Sequence, residues 1–252
     1  MSGISAVVIT LNEEKNIREC LESLSFASEI ILVDSGSTDK TIEIAREFQA
    51  RVYLIDWPGY GAAKNYGIER ASNDWVFSLD ADERVSPELH DAITRLNLDK
   101  INSSGFKVAR RTWYLTRWIK GGGWYPDKGI RLFNRTHGKF SDSIVHESVK
   151  LKGPVSELSG DLLHYSYQGL EDHVQRINKY SGLCADQWKD KGKKTTLLAM
   201  LFRPPWEFFR KLILRKGFQD GIDGVIIAGM HAFYVFLKYA RLYEKNLNKS
   251  PD

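Results

Sequence analysis

The stretch Asp74–Leu89, "DWVFSLDADERVSPEL", decides the fold. Apolar residues run up to Leu79, as in a strand buried on both faces. Two carboxylates follow, Asp80 and Asp82, with Ala81 between them, and a third acid, Glu83, comes next. Like charges this close resist ionising together, so the strand end expects a positive partner. Ser86 and Pro87 then supply the N-cap and first position of a helix. A buried strand that ends in polar chemistry and gives way to a helix is one step of an alternating α/β chain.

Upstream the alternation repeats. "ISAVVIT" (4–10), "EIILVD" (29–34) and "RVYLID" (51–56) read as buried strands. Between them lie "NEEKNIRECLESL" (12–24) and "STDKTIEIAREF" (37–48), which read as helices. Asn12 is placed to cap the first, and Ile17, Cys20, Leu21 and Leu24 form its apolar face. The second is entered through Ser37, Thr38 or Asp39. "GAAKNYGIERA" (61–71) is a short helix after the turn at Pro58-Gly59. Strands and helices of these lengths predict βαβ units and a mainly parallel sheet. Ligands of such sheets bind beyond the carboxyl ends of the strands. Here those ends carry "TLNE" (10–13), "DSGSTD" (34–39) and "DADE" (80–83).

After about Leu98 the pattern changes. "GFKVARRTWYL" (105–115) and "KGIRLFNR" (128–135) read as strands around a glycine-rich loop, "KGGGWYPD" (120–127), and "SIVHESVKL" (143–151) as another short strand. These predict an antiparallel addition to the parallel half. Residues 169–188 read as a helix, and the chain closes with a basic segment and an apolar helix. The expected division is a catalytic domain over 1–168, with a donor half at 1–98 and an acceptor half at 99–168, and a helical region over 169–252.

The chain has 252 residues and a net charge of +4, of which little is evenly spread. Trp188–Phe218 holds nine basic and two acidic residues, so the remainder is slightly negative. Two cysteines, Cys20 and Cys184, form neither a metal spacing nor a disulfide framework, which fits a reducing compartment. Cys20 is expected to be packed rather than reactive. "MSGISAVVIT" has no charged leader or cleavage pattern. The longest apolar run, "GVIIAGMHAFYVFL" (224–237), falls short of the ~20 residues of a membrane span and contains His231.

Two carboxylates at i and i+2 of an extended chain share a face and can hold a hard divalent cation, with phosphate oxygens completing its shell. A D-x-D standing alone reads first as a solvated loop with a helix-capping acid. An ordinary βα turn accounts for Ser37 to Asp39 but not for Asp34 before them. Lys64 and Asn65 sit on the short helix between the third and fourth strands, where a cation meets a phosphate or simply solvent.

In order and spacing, strand–"TLNE", strand–"DSGSTD", "GAAKN" and strand–"DAD" together resemble the family 2 glycosyltransferases of the GT-A fold over roughly the first 100 residues. The resemblance implies a nucleotide-diphosphate sugar donor, usually a uridine one. Thr10, Leu11 and Glu13 match positions that line base and ribose, with Asn12, Ser35, Gly36 and Ala81 on the same donor surface. Asp34 matches the residue that bonds the uracil ring, and Lys64 and Asn65 the basic residue and asparagine near the donor. Asp80 and Asp82 match the pair that holds Mg²⁺ or Mn²⁺ on the diphosphate, Asp82 directly.

An inverting transfer needs a base for the acceptor hydroxyl. "VHE" (145–147) resembles the segment that carries it, which favours Glu147, with Asp142 the alternative; His146 and Glu147 face opposite sides if the segment is a strand. Arg131 offers a guanidinium to the diphosphate. His164 resembles a third metal or diphosphate contact, or is a buried histidine near a helix start. Trp124 and Tyr125, after three glycines, form either a mobile acceptor loop or a hairpin with one anchoring tryptophan.

The last third resembles bacterial lipopolysaccharide-core glycosyltransferases, in particular those that add β-linked glucose to a core heptose. "PPWEFFRKLILRKGF" (204–218) mixes Trp206, Phe209 and other apolar residues with Arg210, Lys211, Arg215 and Lys216, the composition of a helix lying in a membrane interface. The alternative is packing on protein, including self-association as a homo-oligomer. Ile222, Ile226, Met230, Phe233 and Leu237 form one stripe of the last helix. No nucleic-acid motif accompanies the basic surplus. The expectation is therefore a metal-dependent, inverting hexosyltransferase. It would use UDP-glucose and a saccharide or glycolipid acceptor, and lie peripherally at the cytoplasmic face of a bacterial inner membrane. The rival readings are a polyprenyl-phosphate sugar transferase and a non-catalytic nucleotide-sugar-binding module. A dehydrogenase is disfavoured, since no G-x-G-x-x-G follows the first strand.

Overall fold

The computed structural model describes residues 3–141 and 148–247. The chain forms two compact units, Met1–Arg111 with Asp127–Tyr165, and Thr112–Pro126 with Ser166–Asp252.

The first unit opens with the expected alternation: β1 (Ile4–Thr10), α1 (Ile17–Glu22), β2 (Glu29–Asp34), α2 (Thr41–Glu47), β3 (Arg51–Leu54), α3 (Tyr60–Glu69) and β4 (Trp75–Asp80). It continues with β5 (Glu83–Val85) and α4 (Pro87–Thr94), then β6 (Gly105–Tyr114), which runs on into β7 (Arg117–Trp118) of the second unit. β8 (Asp127–Asn134), β9 (Gly138–Phe140), β10 (Val149–Leu151) and β11 (Val155–His164) follow. The main sheet has the order β3-β2-β1-β4-β8-β6-β11-β5. β1 pairs parallel with β2 and β4, and β2 with β3, whereas β8 is antiparallel to β4 and β6. Every residue of β1 is buried, as its unbroken apolar run requires of a central parallel strand. β9 and β10 form a separate two-stranded ribbon.

α1 is shorter than its apolar periodicity suggests. Asn12 adopts a left-handed φ of 54° and lies four residues before the N-cap position, which Asn16 occupies, so it is no N-cap. Its side-chain oxygen accepts the Thr38 N–H at 2.8 Å instead. Ser86 does cap α4, its hydroxyl accepting the Leu89 N–H.

The second unit contains α5 (Leu170–Asp190), α6 (Leu197–Phe209) and α7 (Gly221–Asn246), with a wide helical turn at Arg210–Leu214 and a tight one at Gly217–Asp220. α7 packs along both α5 and α6. Residues 112–126, expected in the acceptor half, fold with these helices. The cause is Asp220, whose buried carboxylate accepts the Lys120 and Gly121 N–H groups at 2.9 and 2.7 Å. The face of α7 that is buried carries Gly224, Ile227, Ala228, Val235 and Leu242. The predicted stripe lies elsewhere, and Ile222 and Phe233 on it are exposed. The expectation of no span-length segment also needs correction. Gly217–Asn246 is one helical stretch long and apolar enough, by length and composition, to cross a membrane.

Candidate active site

Strand register gathers the predicted site. Thr10 lies opposite Asp34, and Ile9 opposite Asp80, so the carboxyl ends of β2, β1 and β4 stand side by side. Thr10 Oγ1 is buried there with no hydrogen-bond partner among the described residues. Leu11, just beyond it, is 49% exposed, an apolar side chain held out at the strand edge.

The loops after β1 and β2 are knitted together. Besides the Asn12–Thr38 bond, the Asn12 N–H donates to Ser37 Oγ, Glu13 N–H to Thr41 Oγ1, and Glu14 N–H to Asp39. The turn itself accounts for Asp34. Its buried carboxylate accepts the Gly36 and Ser37 N–H groups at 2.9 and 2.8 Å, and the Ser37 hydroxyl as well. Such self-bonding by an aspartate fixes the chain reversal. Gly36 has φ +97°, which favours glycine, and among the described residues nothing lies within 4 Å of where a Cβ would be, so its backbone is open to a ligand.

The positive partner that the acids call for is present. Lys64 on α3, 2% exposed, places Nζ 3.0 Å from Asp80 Oδ1 and 5.2 Å from the centre of the Phe140 ring. Burial would raise the Asp80 pKa, but Lys64 and then Arg131 outweigh it and hold the carboxylate well below its ordinary range. Asn65 is engaged elsewhere: its amide donates to the Phe140 carbonyl at 3.0 Å and accepts the Phe140 N–H at 2.9 Å. It clamps α3 to the end of β9.

Glu83 was given no role by sequence reasoning, although one more acid than a D-x-D needs was its signal. It is fully buried. One oxygen accepts the Asp80 N–H at 2.9 Å; the other takes the Arg131 guanidinium at 2.7 Å, with Arg110 at 3.6 Å. Glu83 therefore ties the acidic turn to β8. Pairing of β11 with β5 sets His164 opposite Glu83 and brings His164 Nε2 to 3.3 Å from Asp82 Oδ2. Ala81 is buried, its N–H donating to the Ile9 carbonyl. Asp80 faces Lys64 while Asp82 faces His164. Among the described residues, no group of three His, Cys, Asp or Glu is arranged to hold a metal by itself. Asp142, His146 and Glu147 lie outside the described residues.

In the second unit, Trp124 is an anchor. It stacks on Tyr167 at 5.2 Å and meets Tyr114 edge-on at 5.5 Å; the Tyr114 hydroxyl bonds His173 Nδ1 at 2.8 Å. The loop expected to be mobile is pinned: the Gly122 N–H donates to the Arg215 carbonyl, and a Cβ on Gly121 would stand 2.2 Å from the Lys216 carbonyl oxygen.

The sequence model of glycosyl transferase family 2 matches residues 5–156. A lipopolysaccharide core biosynthesis glycosyltransferase, LpsC of Rhizobium meliloti (strain 1021), is 34% identical over 98% of this chain and 94% of its own length. An uncharacterized glycosyltransferase of Rickettsia bellii (strain RML369-C) is 33% identical over 98% of this chain and 88% of its own. Among solved structures, the mannosyltransferase PcManGT from Pyrobaculum calidifontis, in complex with GDP-Man and Mn²⁺, superposes with a TM-score of 0.55 at 14% identity, over 97% of this chain and 88% of that one. The architecture is thus the GT-A fold, an α/β fold with a mainly parallel central sheet and C-terminal helices.

Proposed function

The chain belongs to glycosyl transferase family 2 and is a glycosyltransferase, and on that premise we propose that it moves a hexose from a nucleotide-diphosphate sugar onto a lipopolysaccharide-core or other lipid-linked saccharide. The observation that carries the reading is the strand-end cluster in which Lys64 and Glu83 hold Asp80, Arg131 holds Glu83, and Asp82 stands against His164. The acceptor class is taken from the name of the Rhizobium relative, and glucose from UDP-glucose is the donor we put first. Transfer to such an acceptor places the enzyme in the bacterial cytoplasm, at the inner membrane where lipid-linked saccharides are built.

The donor would lie across the ends of β1, β2 and β4. Leu11 and the open backbone at Gly36 would meet base and ribose; Lys64 and Arg131 would meet the diphosphate. A divalent cation, Mg²⁺ or Mn²⁺, fits beside Asp82 and His164, which offer one hard oxygen and one imidazole nitrogen and leave the other positions to phosphate oxygens and water. When bound, it would supply electrostatic stabilisation of the departing diphosphate. Lys64 and Arg131 would add fixed positive charge for the same purpose. Glu147 would take the acceptor proton in an inverting attack, with Asp142 the alternative.

Calorimetric titration of nucleotide sugars, with and without Mn²⁺, tests the donor site. The expected result is binding of UDP-glucose that needs the metal and is lost in Asp82→Asn; binding of no nucleotide sugar would overturn the reading. Glu147→Gln should abolish transfer and leave donor binding intact.

A second reading, transfer to polyprenyl phosphate, draws support from the length and apolarity of 217–246. A phosphate nucleophile needs no general base, so full activity of Glu147→Gln on polyprenyl phosphate would favour it. Donor binding without turnover on any acceptor would instead indicate a binding module.

A further inference from the structure

α6 presents an apolar face that the fold leaves uncovered. Leu198, Phe202, Trp206, Phe209 and Ile213 recur at intervals of three and four residues and so share one side of the helix and of the turn that continues it. They are 67%, 67%, 50%, 46% and 44% exposed, and α6 has no fully buried residue at all. Contiguous exposed apolar surface of this kind marks an interaction site.

The same stretch carries unanswered positive charge. Arg210 is paired with Glu207. Arg203, Arg215 and Lys216 are exposed, and their side chains have no ion-pair or hydrogen-bond partner among the described residues. An occupant must therefore be apolar and negatively charged at once. A second copy docked through this face would bring the same basic surface against itself, since a two-fold interface repeats one patch on both partners. An anionic bilayer meets both demands: acyl chains for the stripe, and headgroups for the cations beside it.

We propose that the outward face of α6 and the Arg210–Lys216 segment docks this protein onto an anionic lipid bilayer. The docking rests on this unit's own geometry and is independent of which sugar is transferred. It has a consequence for the glycine loop. Because Gly122 bonds the Arg215 carbonyl and Gly121 lies against Lys216, the loop that carries Trp124 and Tyr125 is held to the docking segment and would be held at the bilayer surface with it.

Co-sedimentation of the full chain with phosphatidylcholine vesicles, and with the same vesicles containing phosphatidylglycerol, tests the proposal. Binding is expected to the anionic vesicles only and to weaken with added salt. Arg203→Ala and Arg215→Ala should each weaken it about fivefold. Phe202→Glu should abolish it. All three positions are exposed, and unchanged circular dichroism and nucleotide-sugar binding will show that each variant is folded. Equal binding to neutral and anionic vesicles, or binding unaffected by all three changes, would overturn the proposal. So would a wild-type dimer in sedimentation velocity that does not bind vesicles and that Phe202→Glu turns into a monomer.

Discussion

The Asp80 backbone N–H donates to the buried carboxylate of Glu83 at 2.9 Å, so the first acid of the D-x-D turn is held in place by the acid that follows the motif. The second Glu83 oxygen holds Arg131. Glu83→Ala should strand the mostly buried Arg131 guanidinium, 12% exposed, and leave the Asp80 N–H unpaired, at a cost of about 3 kcal/mol. Glu83→Gln keeps an acceptor for the N–H and should cost less. Urea denaturation of both variants, compared with their affinity for UDP-glucose, checks the order.

Lys64→Met removes the ammonium 3.0 Å from Asp80. A destabilisation of about 2 kcal/mol at neutral pH is expected, modest for a buried pair because Asp80 is part-exposed. The pH dependence has a definite sign. Asp80 is depressed in the folded state, so its contribution is present above its unfolded pKa of about 4 and is lost as pH falls further. The difference between wild type and variant should therefore shrink in acid. Denaturation midpoints measured at neutral and acidic pH will show it.

His173 provides a second pH test. Burial pushes its pKa down from 6.5 to about 4, so it stays neutral beside Tyr114. The unfolded chain takes up the proton first, and stability from this site should fall as pH drops from about 6.5 to about 4. His173→Phe loses the Tyr114 hydrogen bond and should be weaker at neutral pH, yet flatter across that window.

Gly121→Ala would place a methyl group 2.2 Å from the Lys216 carbonyl oxygen and should detach the loop from its docking segment. Gly122→Ala, at φ +63° with only a distant contact, should cost about 1 kcal/mol from backbone strain alone. Thermal melting of both, with hydrogen exchange read at the Gly122 amide, separates a clash from strain.

The Cys20 thiol is fully buried and pushed well above its ordinary pKa by burial, then by Glu83 and Asp82. Iodoacetamide should label the half-buried Cys184 in the native protein and reach Cys20 only after unfolding, as peptide mass spectrometry will report.

The alternating strands and helices of the first hundred residues were legible because buried parallel strands are unbroken apolar runs and their helices keep a 3.6-residue period. The acids at the strand ends were legible for the same reason, since the runs stop where they begin. Three features were not. Asn12 reads as a helix cap, yet a longer-range partner at Thr38 claims its oxygen. Glu83 reads as one more acid in a loop, and only the pairing of β5 with β11 and the approach of β8 bury it against Arg131. The glycine loop reads as mobile, because nothing local reveals the Asp220 carboxylate, about 100 residues away, that holds it.

The sequence by itself determined the α/β alternation, the polar edge of the sheet and the basic, apolar character of the last third, since each is written in residue type and short-range spacing. The tertiary structure alone decided which charges pair and which apolar face stays uncovered. Asp80 goes to Lys64, Asp82 to His164, and Glu83 to Arg131, while the stripe of α6 faces outward. Those outcomes depend on strand register and helix packing between residues far apart in the chain, and neither propensity nor periodicity encodes such long-range distances.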